Sequence, residues 1–260
     1  MQNAILLVSF GTSNYKTFKK TLNKLIKKVE NNFSNFKIYT AFTSNIIIKK
    51  LKENHNIKID TVSESLDKIL KDGFKDLIIQ PLFIINGIEN NLLHNIVKTH
   101  KKHFHSIKVG NPLLSSNKDY INLIEALKNN LPFINYNENV ILMGHGSYAS
   151  FYNSYIHLNN ILKRQGYSNI HLTTLEGNLK LSNTINKLKN KKVTNVYLVP
   201  IMLFCGKHIL YDMNGNKEYS LKSILENNNF TVNCILKGLL EYDEIQDIFI
   251  EHLKLSCLDA

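Results

Sequence analysis

The sequence has few of the residues that staple small proteins or anchor them in membranes. Its three cysteines, Cys205, Cys234 and Cys257, are odd in number and form no CxxC pair, which argues against a disulfide framework or a structural zinc knuckle. No apolar run approaches the roughly 20 residues of a membrane helix, so no membrane association is predicted. The apolar start at residues 4–8 is too short for a signal peptide and lacks a basic beginning. A cytoplasmic location is therefore predicted.

Acidic residues are also scarce relative to basic ones. The chain has 32 Lys and Arg against 21 Asp and Glu, for a formal net charge of +11, and a positive field of that size attracts polyanions. The sequence contains no RNP-like aromatic motif, zinc finger or recognisable helix-turn-helix. Nucleic acid is therefore not the predicted partner, and the charge indicates an anionic partner without identifying it.

Strand and helix patterns alternate along the whole chain. With 260 residues, 43% of them hydrophobic, it is long enough for one large domain or two ordinary ones. Short apolar runs separated by amphipathic segments predict an α/β protein with parallel sheets and crossover helices. Thr61 and Glu64 form a capping box that predicts a helix start. The predicted strands are 5–9, 36–42, 76–80, 106–109, 140–143, 170–175, 196–199 and 232–236, with irregular segments at 81–90 and 200–216.

The two halves of the chain repeat one another, and such repeats dictate architecture. Gapless alignment connects 5–12 with 140–147, 77–81 with 196–200, Gly87 with Gly206, and Glu89 with His208. The repeat predicts two similar lobes, each a parallel sheet flanked by helices, related by a pseudo-twofold axis with a central cleft. Pro132 and the asparagines near it suit a linker. We therefore expect an N-terminal lobe at 1–132 and a C-terminal lobe at 133–260.

Candidate metal ligands follow the predicted strands, at the end of the sheet where open α/β folds bind ligands. His145 follows strand 140–143 between two glycines, which let the backbone turn sharply and expose the ring. His208 and Glu89 occupy equivalent places in the two halves. Two imidazoles and a carboxylate suit a divalent first-row ion such as Co²⁺, Fe²⁺ or Ni²⁺. Three protein ligands also leave coordination positions open, as a site that passes its metal onward requires.

The same residues belong to a set of motifs that runs nearly end to end, at 8–13, 41–44, 46–51, 84–89, 112–116, 143–146 and 206–213. With these motifs the chain resembles the anaerobic sirohydrochlorin cobaltochelatases, in the class II chelatase superfamily that includes ferrochelatase. The resemblance implies a two-lobed chelatase-type fold with a tetrapyrrole in the cleft. It implies metal ligation by His145, His208 and Glu89, and proton transfer or substrate contact by Glu176. The positions expected to line the substrate cleft are Phe10, Gly11, Thr12, Phe83, Gly146, Ser147 and Lys207.

The implied reaction is the insertion of Co²⁺ into sirohydrochlorin with release of two protons, an early step of anaerobic cobalamin biosynthesis. The metal is then a substrate, and no tightly bound cofactor is expected. Because a base must take up the pyrrole protons, His145 is the expected catalytic base. The basic charge suits the polyanionic tetrapyrrole. The alternatives are a chelatase for iron, nickel or another tetrapyrrole, and a non-catalytic tetrapyrrole or metal carrier. Homo-oligomers are common for chains of this size and family.

Two positions depart from the family pattern. Phe83 stands where some relatives have a histidine. Lys207 stands where an aspartate is frequent, so an acceptor that would orient the ring of His208 is missing. The histidine-rich stretch 94–105 is interpreted as a solvated helix end, with haem or metal binding as the alternative.

Overall fold

The computed structural model describes residues 3–134, 138–146 and 153–258. The strands are β1 (Asn3–Ser9), β2 (Phe36–Phe42), β3 (Asp60–Thr61), β4 (Asp76–Leu82), β5 (Ser106–Val109), β6 (Val140–Gly146), β7 (Ile170–Glu176), β8 (Asn195–Ile201) and β9 (Thr231–Cys234). The helices are α1 (Tyr15–Asn32), α2 (Asn45–His55), α3 (Val62–Lys71), α4 (Ile88–His100), α5 (Asn117–Asn130), α6 (Asn153–Arg164), α7 (Leu181–Asn190), α8 (Leu221–Glu226) and α9 (Asp243–Leu258). Strands and helices alternate, as predicted.

The chain divides into two compact units. The first unit comprises Met1–Ser115 and Asp243–Ala260, and the second comprises Ser116–Tyr242. The boundary expected at residue 132 falls inside the second unit. Helix α5 therefore belongs to the second unit, and the last helix, α9, packs on β4 of the first. A repeat in a sequence does not reveal which sheet the last helix of each half covers.

Among the described residues, the first unit holds a five-stranded sheet in the order β3-β2-β1-β4-β5. Its central strand β1 pairs in parallel with both neighbours, so that Leu6 lies between Tyr39 and Ile79. Residues Ala4 to Val8 are each at most 1% exposed. Both faces of a parallel sheet are covered, which is why β1 is a continuous apolar run rather than an alternating one.

The second unit holds four described strands in the order β7-β6-β8-β9, all parallel. Its register reproduces that of the first unit. Ile5 pairs with Ile78, and the residues aligned with them, Val140 and Tyr197, pair with each other. The repeat is thus confirmed at the level of strand register. Strand β3 has no counterpart among the described strands of the second unit.

The turn that follows the central strand is also shared by the two units. Gly11 and Gly146 occupy aligned positions and have φ angles of 95° and 87°. Residues with a Cβ rarely adopt this region. A Cβ on Gly11 would collide with the ring of Phe42, and a Cβ on Gly146 would collide with the carbonyl oxygen of Glu176. Both glycines are therefore required by the backbone and by its surroundings.

Capping boxes mark the starts of α3 and α5. As predicted, Thr61 and Glu64 cap α3, with the Thr61 N–H donating to Glu64 Oε2 at 2.8 Å and the Glu64 N–H donating to Thr61 Oγ1 at 3.3 Å. Ser116 and Asp119 cap α5 in the same way. Each box provides partners for backbone N–H groups that a helix start leaves unpaired.

The two segments predicted to be irregular contain more regular structure than expected. Strands β4 and β8 continue through Pro81 and Pro200. Their outer neighbours have already ended there, since β5 stops opposite Ile79 and β9 stops opposite Leu198. A proline at such a position removes no ladder hydrogen bond on the outer side. The second segment also forms a π-helical turn, His208–Met213.

Each unit has its own hydrophobic core. In the first, strand residues such as Leu6 and Ile79 pack with helix residues such as Leu66 and Leu93. A separate cluster in the second unit joins the strands β6 and β8 to the helix α7 and the π-helical turn. No described helix is both long and apolar enough to cross a membrane.

Candidate metal centre

His145 lies near the carboxyl end of β6, and its side chain is exposed. A different steric contact explains why each neighbouring residue is a glycine. A Cβ at Gly144 would collide with the ring of Tyr155, and one at Gly146 would collide with the backbone of the neighbouring strand at Glu176. The strand therefore ends in a tightly packed backbone from which only the imidazole projects.

Tyr155 of α6 supports the backbone on which His145 stands. Its side chain is 3% exposed, and its hydroxyl is hydrogen-bonded to the backbone of Gly146 and His145. Burial raises the pKa of the Tyr155 hydroxyl to about 12, so the phenol is neutral at physiological pH. Sequence reasoning missed this residue, because no motif connects a tyrosine on the following helix to the end of the strand.

His208 is the first residue of the π-helical turn that follows β8. Its Nδ1 lies 2.6 Å from Asp212 Oδ2, and the two side chains are 48% and 30% exposed. The residues are four apart, a spacing that places side chains on one face of a helical turn. Lys207, where an aspartate is frequent in the resembling family, is exposed. Asp212 supplies the acceptor that Lys207 lacks, and the signal for it was an acidic residue at i+4 from a candidate ligand.

The two histidine rings lie together in the second unit. Their centroids are 4.9 Å apart and their planes meet at 86°. His145 Nδ1 lies 3.3 Å from the carbonyl oxygen of Gly146, and His208 Nδ1 contacts a carboxylate. Since both oxygens only accept, Nδ1 carries the hydrogen in each ring, and Nε2 bears the lone pair of the neutral imidazole. The pair thus offers two nitrogen ligands, or one ligand and one base.

Glu176 lies at the same end of the second unit's sheet. It is the last residue of β7, it pairs with Gly146 in strand register, and its side chain is exposed. A carboxylate therefore stands at the end of the strand adjacent to the one that carries His145. Glu89, the other predicted carboxylate, belongs to the first unit, where it lies in the first turn of α4.

The predicted substrate-contact residues differ in exposure. Phe10 is 48% exposed, whereas Thr12 is 3% exposed and Phe83 is 7% exposed within the first unit's core. Gly11 is buried in the turn after β1. Ser147 lies outside the described residues.

Other histidines of the described chain have different surroundings. Among the described residues, no group of three or more His, Cys, Asp and Glu side chains is arranged to hold a metal ion, either at the histidine pair or elsewhere. In the histidine-rich stretch, His100 Nε2 lies 3.8 Å from Asp67, and His105 Nδ1 lies 3.3 Å from Asp76. These contacts suit the interpretation of the stretch as a solvated helix end.

The family model described as cobalt chelatase (CbiK) matches residues 3–257. The chain belongs to this family. The predicted membership is confirmed, and with it the assignment as a metal chelatase, an enzyme. The histidine pair and Glu176 lie within the matched range.

Two relatives of the cobalt chelatase are similar over nearly the whole length. The sirohydrochlorin cobaltochelatase of Salmonella typhimurium is 32% identical over 253 residues, which cover 97% of this chain and 96% of the relative. The sirohydrochlorin cobaltochelatase CbiKC of Nitratidesulfovibrio vulgaris is 30% identical over 263 residues, which cover 99% and 92%. Among solved structures, SirB from Bacillus subtilis with Fe³⁺ has a TM-score of 0.69 at 16% identity, over 98% of this chain and 96% of that chain. This likeness confirms the predicted chelatase fold.

Proposed function

We propose that this cobalt chelatase inserts Co²⁺ into sirohydrochlorin in the cytoplasm, as an early step of anaerobic cobalamin synthesis. The names of the two full-length relatives support the substrate and the metal. The observation that carries the chemistry is the histidine pair, with ring centroids 4.9 Å apart. In each ring Nδ1 faces an oxygen atom, which leaves Nε2 to ligate the metal or to accept a proton.

His208 is the proposed metal ligand that delivers the ion. A metal-binding histidine whose other nitrogen donates to a carboxylate has a fixed ring orientation and a more basic ligating nitrogen. The contact of 2.6 Å between His208 Nδ1 and Asp212 Oδ2 is of this kind. Imidazole nitrogen binds Co²⁺ well, and a site with few protein ligands leaves positions for the incoming macrocycle.

His145 is the proposed base. Insertion forms four metal–nitrogen bonds and breaks two pyrrole N–H bonds, so two protons leave for each ion that enters. Nε2 of His145 can accept one proton at a time and return it to solvent, because the ring is exposed. One nitrogen cannot ligate and accept a proton at once, which is why the pair divides these tasks in our proposal.

A carboxylate is proposed as the third ligand, although none forms a metal-holding group of three with the histidine pair in the described structure. The sequence prediction was Glu89, with Glu176 in proton transfer or substrate contact. Glu176 has the stronger support as a neighbour of the pair, because its strand position pairs with Gly146. Glu89 has an additional explanation, since a negative side chain in the first turn of α4 is favoured by the helix dipole.

Phe10 and Lys207 are the proposed substrate contacts. An exposed aromatic ring suits the flat face of a tetrapyrrole, and an exposed ammonium suits its carboxylates. The formal net charge of +11 favours the approach of such a polyanion.

The test is anaerobic incubation of the purified protein with sirohydrochlorin and, in separate reactions, Co²⁺, Fe²⁺ or Ni²⁺, followed by absorbance. Cobalt insertion is expected to exceed the protein-free rate. His145→Ala and His208→Ala should each reduce it by about 10²–10⁴-fold, the range for loss of a positioned acid–base group. Because both side chains are exposed, the variants should remain folded by circular dichroism. His94→Ala, at an exposed histidine of the first unit, is the matched control.

The same assay decides between the carboxylates. Glu176→Gln should lower cobalt insertion more than Glu89→Gln, because the strand position of Glu176 pairs with Gly146, the residue after His145. The reverse order would restore Glu89 as the third ligand. Faster insertion of Fe²⁺ or Ni²⁺ than of Co²⁺ would identify that ion, instead of cobalt, as the preferred metal substrate. Tight tetrapyrrole binding without any acceleration would contradict the enzymatic proposal and favour a carrier.

A further inference from the structure

A cavity of about 490 Å³ lies in the second unit, along β7 and between α6 and α7. Strand β7 is the edge strand of the second unit's sheet. In the first unit, the corresponding strand β2 pairs with β3, at Ala41 with Asp60 and Phe42 with Thr61. In the second unit the chain runs from Glu176 directly into α7 at Leu181, so that this edge has an open groove instead of a further strand.

The groove is closed at its carboxyl end. The Thr174 N–H donates to the carbonyl oxygen of Leu179 at 3.0 Å, and the Thr173 hydroxyl donates to the same oxygen at 2.8 Å. The edge is therefore not free over its whole length, and an added β-strand would lose these contacts. A cavity of this volume falls within the range of small-molecule sites, about 300–1,000 Å³.

The charge of the groove has one sign. Four lysines from three parts of the chain line it, and no Asp or Glu is among the lining residues: Lys163, Lys180, Lys187 and Lys191. Lys191 Nζ donates to the carbonyl oxygen of Ser168 at 3.1 Å. In the part of the chain that the structure describes, none of the four is paired with a carboxylate within 4.0 Å. Clustered ammonium groups without counter-charges attract anions.

His171 supplies a buried polar group that lacks a partner. Its ring lines the groove, and its Nε2 is buried without a hydrogen-bond partner in the described structure. Burial, with Lys191 and Lys187 nearby, lowers the pKa of His171 to about 4. The imidazole is therefore neutral at physiological pH, and a neutral ring can donate from Nε2 to a ligand oxygen. Buried polar atoms without partners are rare in native proteins and need an explanation.

We propose that this groove binds a small multivalent anion, whose phosphate or carboxylate oxygens contact Lys187, Lys191 and His171 Nε2. The ammonium groups match a compact ligand with several negative charges. The groove is lined by other residues than the histidine pair. The proposed anion binding is therefore a second property of the protein, in addition to the chelatase activity.

The test is calorimetric titration of the full chain with pyrophosphate and, separately, citrate, in 150 mM chloride, where weak surface pairing is screened. Saturable binding of at least one anion is expected. Lys187→Gln and Lys191→Gln should each weaken it by about tenfold, the effect of losing one charge-assisted hydrogen bond. The matched control is Lys189→Gln, which removes the same charge from α7. Lys189 Nζ donates to Asn228 Oδ1 at 2.7 Å, and this residue does not line the groove.

The position of the ligand is read independently from the imidazole signals of His171 by NMR. Those signals should shift during the titration, and the pKa of His171 should rise when anionic oxygens offset Lys187, Lys191, Lys163 and Lys180. Stronger binding of pyrophosphate assigns a phosphate ligand, and stronger binding of citrate assigns a carboxylate-rich one. Absence of saturable binding, or equal weakening by Lys189→Gln, would overturn the proposal. Neither cobalt nor tetrapyrrole is present, so the result does not depend on the proposed chelatase activity.

Discussion

The two units share a strand register and a glycine turn, but they carry different chemistry at the ends of the same strands. Phe10 follows β1 and is 48% exposed, whereas the aligned residue near the end of β6 is His145. After the third aligned strand the first unit has Glu89 and the second has His208. The position aligned with Asp212 is Leu93, which is fully buried. A repeated scaffold has thus placed an imidazole pair with its carboxylate partner in one unit only.

The units also differ in their edges and in their last helices. The first unit's sheet extends to β3, whereas the second ends at β7 beside a basic groove. Helix α5 lies with the second unit and α9 with the first. The common part of the repeat is therefore the strand order β2-β1-β4-β5 and β7-β6-β8-β9. The units differ in the side chains near the ends of these strands, in the edge of the sheet and in the last helix.

The largest expected effect concerns the assignment of α9 to the first unit and of α5 to the second. Phe249 of α9 is fully buried, and Phe249→Ala should destabilise the first unit by about 3–5 kcal/mol, the usual cost of such a cavity. Hydrogen exchange measured on the full chain should show lost protection in β1 and β4 while the second unit's strands keep theirs. Leu158→Ala, at a fully buried residue of α6, should produce the opposite pattern.

The domain boundary predicted at residue 132 leads to the opposite expectation for Phe249→Ala. If residues 133–260 unfold as one body, Phe249→Ala must reduce protection in β6 and β8 and spare β1. That pattern would restore the boundary expected from the sequence. Equal loss of protection in all four strands would indicate that the two units unfold together.

The next effect concerns the difference between Asp212 and Leu93. The carboxylate of Asp212 orients the His208 ring and makes its Nε2 more basic, and Asp212→Asn removes that negative charge. We expect Co²⁺ affinity, measured by titration without tetrapyrrole, to fall by about 10–100-fold. The insertion rate should fall with it, and the fold should be unaffected because both side chains are partly exposed. Glu218→Gln removes an exposed carboxylate from the following segment and should leave both quantities unchanged. Normal cobalt affinity in Asp212→Asn would show that the contact has no role in metal binding.

The sequence predicted that His145 and His208 lie close together, because the repeat aligns strand ends, and their ring centroids are 4.9 Å apart. His145 lies near the end of β6 and His208 follows β8, and these strands have the register of their counterparts in the first unit. The alignment that predicted the fold therefore also predicted the positions of these residues. Asp212 was harder to predict, because its contact requires the π-helical turn inside a segment expected to be irregular. Tyr155 was out of reach, since its role depends on how α6 packs beneath β6.

The exchange of α5 and α9 had no signal in the sequence either. Both are amphipathic helices at the end of a repeat, and an apolar face specifies burial without specifying the sheet that buries it. Strand β3 was missed for a different reason. Its two residues, Asp60–Thr61, are too few to form a periodic pattern.

The smallest expected effect concerns the open edge of the second unit and follows from the sign of one pKa shift. Burial and then Lys191 and Lys187 lower the pKa of His171 to about 4. Between the ordinary histidine pKa of 6.5 and about 4, the unfolded chain takes up a proton that the folded chain does not, so acid favours unfolding. In buffers without multivalent anions, the melting temperature should therefore fall more steeply from pH 6.5 to pH 4 in the wild type than in His171→Gln. The two profiles should run parallel above that window.

His94→Gln, at an exposed histidine, should retain the wild-type slope. Identical slopes for the wild type and His171→Gln would mean that His171 has the same pKa in the folded and unfolded chains. Neither burial nor the lysines of the groove would then lower it.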